Sequence, residues 1–161
     1  MIEEKNIRLL EDFGVLSRTE VFSRYEIKLE NYNKILHIEA LTMARMARRQ
    51  LIPAAMHCME QMADTVNAKR QAMASLSCRT ELRLLEKLSE ATDAMSDGVL
   101  NLEHQIEAAE TMEDTLAKAQ FYHDEILVAM DSLRTAADTA ESICGEDYWP
   151  IPSYTQILYY V

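Results

Sequence analysis

The chain has 161 residues, enough for one domain with a hydrophobic core, and a net charge of −11. A surface this acidic disfavours nucleic acid and anionic membranes, because both repel negative charge. No apolar run approaches the roughly 18–20 residues of a membrane span, and the charged start MIEEKN lacks the apolar segment of a signal peptide. We therefore expect a cytoplasmic protein without nucleic-acid or membrane partners.

Glycine and proline are rare, with three residues each, and ten residues are methionine. Few chain breakers and many unbranched side chains favour long helices joined by few turns. The sequence predicts an all-α fold in a single domain over 1–161. We expect an antiparallel bundle of three long helices, with a short N-terminal helix and an extended C-terminal tail.

The first two predicted helices lie in the N-terminal half of the chain. A short helix within 1–14 should end at Gly14 as a left-handed C-cap. Ser17 and Glu20 have the spacing of a capping box, so a long helix is expected over 18–73. Pro53 removes one backbone hydrogen bond and should kink this helix near Gln50.

Two apolar stripes follow the long helix, which predicts that it is covered on more than one side. The first stripe consists of Phe22, Tyr25, Leu29, Tyr32, Leu36, Met43 and Met46. The second consists of Ile35, Ile38, Thr42, Ile52, Met56, Met59 and Val66.

Two further helices are predicted over 78–110 and 112–144. The first carries a heptad seam of Leu85, Leu88, Thr92, Met95, Val99, Leu102, Ile106 and Ala109. This seam keeps its phase through Gly98, so we expect one continuous helix despite a cost of about 1 kcal/mol for the glycine. Thr111 is the expected N-cap of the last helix and Gly145 its C-cap.

The tail over 145–161 contains two prolines, Pro150 and Pro152, which should hold residues 149–153 outside any helix. An extended segment gains nothing from local hydrogen bonds, so its side chains must hold it in place. We therefore expect Trp149 to pack on the bundle near the end of the last helix.

Helix lengths indicate an uncovered segment. At 1.5 Å per residue the long helix spans roughly 80 Å and each later helix about 50 Å. Its first half, with Phe22, Tyr25, Leu29 and Tyr32, should therefore extend beyond the bundle. The short N-terminal helix can cover one side, and we expect a second copy or another surface to cover the rest.

The sequence offers little for chemistry at a metal or catalytic centre. Neighbours on a helix diverge by about 100°, so His57–Cys58 and the run His123–Asp124–Glu125 cannot close on one metal ion. His104 and Glu107 form one pair on a charged face. Cys58, Cys78 and Cys144 are widely separated and are expected to be free thiols. Because phosphate loops and hydrolase motifs are also absent, the sequence predicts no catalytic, cofactor-binding or metal residues.

Arg45, Arg48 and Arg49 form the one dense basic cluster. Arg45 and Arg49 share a face with the second apolar stripe, so they need carboxylate partners from another helix or another chain. Phosphate binding is the alternative interpretation. A ferritin-like metal bundle is excluded, because it needs Glu-x-x-His pairs and none occurs in the chain.

The segment SRYEIKLENYNKILHIEALTMARMARRQLIPA (residues 23–54) resembles the C-terminal region of type III glutamine synthetases. The family pattern S-R-Y-E-I-x-L-E-x-Y is matched at Ser23–Ile27, Leu29, Glu30 and Tyr32. Its I-x-I-E-A-x-T-M piece is matched at Ile38–Ala40, Thr42 and Met43, with Leu36 for the first Ile. Pro53–Ala54, Glu4–Asn6 and the ending YWPIPSY (residues 148–154) match further pieces.

This resemblance implies a fragment of a larger enzyme that joins glutamate to ammonia with ATP and a divalent metal such as magnesium. The family's catalytic and metal residues lie upstream, so none is carried over to this chain. The implied partners are the upstream catalytic domain of the same polypeptide and further copies in a homo-oligomer. The chain alone is then not expected to make glutamine. The alternative is an independent helical adaptor that is not attached to an enzyme.

Overall fold

The computed structural model describes residues 2–152 and 154–159, and the all-α prediction is confirmed. Seven α-helices occur in the described part of the chain. They are α1 (Glu4–Asp12), α2 (Arg18–Met46), α3 (Ile52–Ala72), α4 (Arg79–Glu110), α5 (Thr115–Phe121), α6 (Leu127–Glu141) and α7 (Tyr154–Tyr159). Two π-helical segments, π1 (Ala47–Leu51) and π2 (Tyr122–Ile126), join α2 to α3 and α5 to α6 without a break.

The turn between α1 and α2 has the predicted chemistry. Gly14 has a φ of 62°, the left-handed conformation that a residue without a Cβ adopts at low cost. The capping box is complete: the Ser17 backbone N–H donates to Glu20 Oε2 at 2.8 Å, and the Glu20 N–H donates to Ser17 Oγ at 3.4 Å. Both ends of this short connection are therefore fixed by local sequence.

The distortion predicted near Gln50 takes the form of π1. The N–H of Ile52 donates to the carbonyl of Ala47, five residues earlier instead of four. The widened turn lies directly before Pro53, which has no N–H to donate and whose ring would crowd the preceding turn. The chain thus accommodates the proline with a π turn inside a helical run that continues to Ala72.

Helix α4 lies at the centre of the bundle, because α3 packs along it on one side and α6 on another. Its seam residues from Leu88 to Ala109 are buried, as the heptad pattern predicted. The helix passes through Gly98 unbroken. A Cβ at Gly98 would lie 3.3 Å from Leu133 Cδ1 and 3.4 Å from Leu133 Cα, so the glycine permits the close approach of α6.

The expected ends of the last helix were wrong. Asp114, not Thr111, is the N-cap, and its Oδ1 accepts from the Ala117 N–H at 2.6 Å. The Thr111 hydroxyl instead donates to the Ala108 carbonyl in the last turn of α4. Gly145 is not a left-handed cap, since Gly14 is the single described glycine with positive φ. The N–H groups of residues 143 and 144 satisfy the Ala140 carbonyl, so no left-handed residue is required.

The tail is only partly extended. Trp149 is 9% exposed and belongs to the same core as Cys144, so the predicted docking near the end of α6 is confirmed. The expectation of an extended segment over the whole of 145–161 was wrong, because α7 forms at Tyr154–Tyr159. Proline restricts the backbone at and just before residues 150 and 152, and its effect does not reach α7.

The N-terminal half of α2 is covered on one side, as expected. Ile7 of α1 and Val21 of α2 are both buried, whereas Phe22 is 39% exposed. The second apolar stripe was predicted to be covered, and this was wrong for its first half. Ile35 and Ile38 are 57% and 62% exposed. The physical reason is that α4 and α5 pack on the other faces of α2, where the buried residues are Asn33, Leu36, Ala40 and Ala44.

Candidate functional site

The histidine and cysteine candidates do not form a metal centre in the described part of the chain. His57 is exposed beside Glu60 and the edge of the Tyr148 ring, while its neighbour Cys58 points into the core. His123 bonds only to the adjacent Asp124, at 2.7 Å on the surface. Within residues 2–152 and 154–159, no three potential metal ligands lie together.

All three cysteines are buried, and none of the described residues forms a disulfide. Cys144 lies against Cys58, and burial, together with this neighbouring thiol, raises the pKa of Cys144 to about 12. A thiol with so high a pKa has almost no thiolate at neutral pH, so it is a poor nucleophile. These two cysteines therefore act in packing between α3 and the base of the tail.

Within the described part of the chain, one arginine of the basic cluster has an ion-pair partner and two have none. Arg48 Nη2 lies 2.6 Å from Glu103 Oε2 of α4, so a neighbouring helix supplies a carboxylate to this arginine. The prediction of carboxylate partners concerned Arg45 and Arg49 instead. Arg45 and Arg49 are exposed, and no acid among the described residues pairs with either of them. They line an open depression together with Thr42, Met46 and Gln50.

An apolar groove of about 620 Å³ lies between α2 and α6. Its walls carry Met43 and Met46 on one side and Met130 and Leu133 on the other. Ile151, Pro152 and Ile157 of the tail also line it. Methionine adapts its shape to different partners, so this lining suits contact with another apolar surface.

A second cleft, of about 360 Å³, is lined mainly by polar and charged residues, and we call it the polar cleft. It lies between α2 on one side and the end of α4, the following turn and α5 on the other. Asn33 of α2 lines it and is 7% exposed. The Asn33 Nδ2 donates to the Thr115 carbonyl at 3.1 Å, which fixes the orientation of the amide, and Oδ1 has no partner among the described residues. A buried acceptor without a hydrogen bond typically costs about 1–3 kcal/mol, so this oxygen requires an explanation.

Tyr122 and His37 form one wall of the same cleft. The Tyr122 hydroxyl lies 3.0 Å from His37 Nδ1, and burial, followed by the charge of Glu110, raises the pKa of Tyr122. The phenol therefore keeps its proton and is able to donate it to Nδ1. In the neutral tautomer that accepts this hydrogen bond, the imidazole proton lies on Nε2, which faces Glu110 Oε1 at 3.8 Å.

The rim of the cleft carries charges of both signs. Lys34 and Lys118 are the cations, and Glu30, Glu110 and Glu113 are the anions. The Glu110 side chain faces His37, whereas the side chains of the other four form no hydrogen bond or ion pair with any described residue. The arrangement can accept hydrogen bonds at one point and offer opposite charges nearby, which is the chemistry that recognises a small dipolar molecule.

No motif in the sequence marks the residues of this cleft. Asn33 and Lys34 are ordinary polar residues on a helix, and Tyr122 is an ordinary aromatic residue within the last predicted helix. The available signal was that Asn33 lies between Tyr32 and Leu36 on the buried side of α2, where an amide must find a partner. Asn33 and His37 also have the i, i+4 spacing of side chains that share a face.

A comparison with known proteins agrees with the resemblance seen in the sequence. Residues 1–70, which hold α1 to α3 up to residue 70, match the family model of the glutamine synthetase C-terminal domain. A glutamine synthetase of Butyrivibrio fibrisolvens is 33% identical over 158 residues, which cover 98% of this chain and 23% of that protein. The type-3 glutamine synthetase of Dictyostelium discoideum is 28% identical over 160 residues, covering 97% of this chain and 22% of that protein.

A glutamine synthetase of Bacteroides fragilis is 20% identical over 149 residues, or 90% of this chain and 20% of that protein. The chain thus spans only about a fifth to a quarter of the length of the curated relatives that it matches. The similarity to these relatives extends over nearly the whole chain, and the family model that matches residues 1–70 describes the C-terminal domain of glutamine synthetases. Over residues 1–70 this chain carries the C-terminal domain of the glutamine synthetase family, and over nearly its whole length it is similar to glutamine synthetases that include a type-3 enzyme.

Proposed function

We propose that this chain is a helical accessory domain of an ATP-dependent glutamate–ammonia ligase in the cytoplasm. Its partner is the catalytic part of the same polypeptide, and further copies assemble with it into a homo-oligomer. In this proposal, ATP and the divalent metal bind to the catalytic part of that enzyme. In the described part of the chain, no helix has both the length and the apolarity of a membrane-spanning segment.

The observation that carries this proposal is the uncovered apolar surface around α2 and α6. Ile35, Ile38 and Leu41 are 57%, 62% and 45% exposed on α2, and the apolar groove follows directly beside them. Ile157 lines that groove and is itself 65% exposed. A contiguous apolar surface of this kind on an acidic protein is typical of a protein–protein contact.

The experiment uses the whole reading frame that contains this chain. The variant is Ile38→Glu, which places a charge at the edge of the groove, and the matched control is Val128→Glu. Val128 is 63% exposed on α6 and does not line the groove. A glutamate at this position therefore adds the same surface charge without changing the groove. We expect Ile38→Glu to lower glutamine formation and the assembled fraction, because a desolvated carboxylate opposes docking.

The readouts are ATP-dependent glutamine formation and the mass of the particle by light scattering. Val128→Glu should behave as the unchanged protein in both. The proposal is overturned if the whole protein forms no glutamine. If Ile38→Glu leaves both readouts unchanged, the assignment of the apolar surface as the docking face is wrong. A reading frame of these 161 residues alone would instead support the independent adaptor.

A further inference from the structure

We propose that the polar cleft between α2 and α5 is a binding site for a small zwitterion of the α-amino acid class. The ammonium group would donate to Asn33 Oδ1 and face the rim glutamates. The carboxylate would face Lys34 and Lys118. This site is separate from the apolar groove, and its occupation does not depend on catalysis by the rest of an enzyme.

The Asn33 Oδ1 atom is a buried acceptor in a fixed orientation. Asn33 is more than nine-tenths buried, and its amide orientation is fixed because Nδ2 donates to the Thr115 carbonyl. Oδ1 can therefore only accept, and the described residues offer it no donor. A ligand with N–H groups supplies that donor, whereas an anion cannot.

The rim of the cleft presents charged side chains of both signs. Two lysines and three glutamates border one cleft, and Glu30, Lys34, Glu113 and Lys118 do not pair with one another. A simple anion would meet the glutamates and a simple cation the lysines, so either one would be opposed by part of the rim. A molecule that carries both charges satisfies both sets at once.

The size and the walls of the cleft fit a small ligand. A volume of about 360 Å³ lies at the lower end of the range of small-molecule sites, roughly 300–1,000 Å³. Met112 and Tyr122 give it an apolar wall, and Tyr122 lies on π2, a type of turn that is frequent at functional sites. The site therefore suits a small amino acid better than a peptide.

Contact between a ligand and Asn33 Oδ1 requires a local conformational change. The oxygen has almost no surface open to solvent, so the ligand must be admitted by side-chain movement at the cleft. Lys34 is exposed and long, and its rotation leaves the hydrophobic core untouched. We expect binding to alter the surroundings of Asn33, Lys34 and Thr115 more than those of the apolar groove.

The experiment measures binding to the 161-residue chain by calorimetry and by two-dimensional NMR. The probes are L-alanine and L-glutamine, each up to about 10 mM, a range that detects millimolar dissociation constants. Glycine betaine and propionate are the chemical controls. Betaine carries both charges without an N–H donor, and propionate carries the carboxylate alone. We expect at least one amino acid to bind and both controls to bind roughly tenfold more weakly or not at all.

Variants assign the binding to the cleft. Asn33→Leu should weaken it by roughly tenfold or more, and the control Asn31→Leu, at an exposed position of α2, should not. Because Asn33 also anchors Thr115, the surface changes Lys34→Gln and Lys118→Gln give a second test that spares the core. Lys28→Gln, at an exposed position of α2, is their control. The proposal is wrong if neither amino acid binds, if betaine binds equally well, or if the cleft variants bind like their controls.

Discussion

Replacing Gly98 with alanine tests how closely α4 and α6 pack. In an isolated helix this change stabilises by about 1 kcal/mol, because alanine loses less backbone entropy. Here the new Cβ would lie 3.3–3.4 Å from Leu133, whose Cα is one of the atoms contacted. A backbone atom cannot rotate away, so α6 itself must shift. Overpacking of this kind costs about 1–3 kcal/mol. We therefore expect a net loss of about 1 kcal/mol in the free energy of unfolding.

The assay is urea denaturation at 25 °C followed by circular dichroism, with Ala94→Gly as the control. Ala94 is exposed on the same helix, so its replacement reports the intrinsic helix preference and should cost about 1 kcal/mol. Together the two variants separate the propensity from the packing contribution. A Gly98→Ala protein that is about 1 kcal/mol more stable than the original would refute the close approach of α4 and α6.

Two further predictions concern the ends of the bundle. Trp149→Ala should destabilise by about 3–5 kcal/mol, and Trp149→Phe by clearly less, because phenylalanine keeps most of the apolar contact and removes a buried Nε1 donor that has no partner among the described residues. Equal losses for the two variants in urea denaturation would contradict this. Hydrogen bonds from the Ser17 backbone and then its side chain lower the pKa of Glu20. Its contribution is therefore present above the unfolded-state pKa near 4.5 and lost as pH falls through the folded-state value. The stability difference from Glu20→Gln should shrink between about pH 6 and pH 3, and a constant difference would count against the capping box.

Local sequence chemistry predicted those features that local contacts determine. The Ser17–Glu20 capping box, the left-handed Gly14 and the uninterrupted seam through Gly98 each depend on residues within a few positions of one another. The position of the distortion near Gln50 also followed from one residue, Pro53. Its form as a π turn did not, because a proline can be accommodated by several backbone adjustments.

Other features depend on alternatives that the local pattern does not rank. Thr111 and Asp114 are both acceptable N-caps, and the outcome was decided by where α4 ends. The π2 segment has no signal at all, since residues 115–141 contain neither glycine nor proline. The exposure of Ile35 and Ile38 required knowing which faces of α2 the other helices occupy.

The contacts in the polar cleft could not be predicted from local sequence patterns. Tyr122 reaches His37 across 85 positions of sequence, so no periodic pattern predicts their hydrogen bond. Asn33 breaks the apolar side of α2, and a bundle selected for stability alone would favour leucine there. A natural sequence departs from such local rules mainly where function requires it. The buried amide, the π turn beside Tyr122 and the unpaired rim charges all depart from these rules at one place. Their coincidence is the physical reason for assigning a ligand to this cleft.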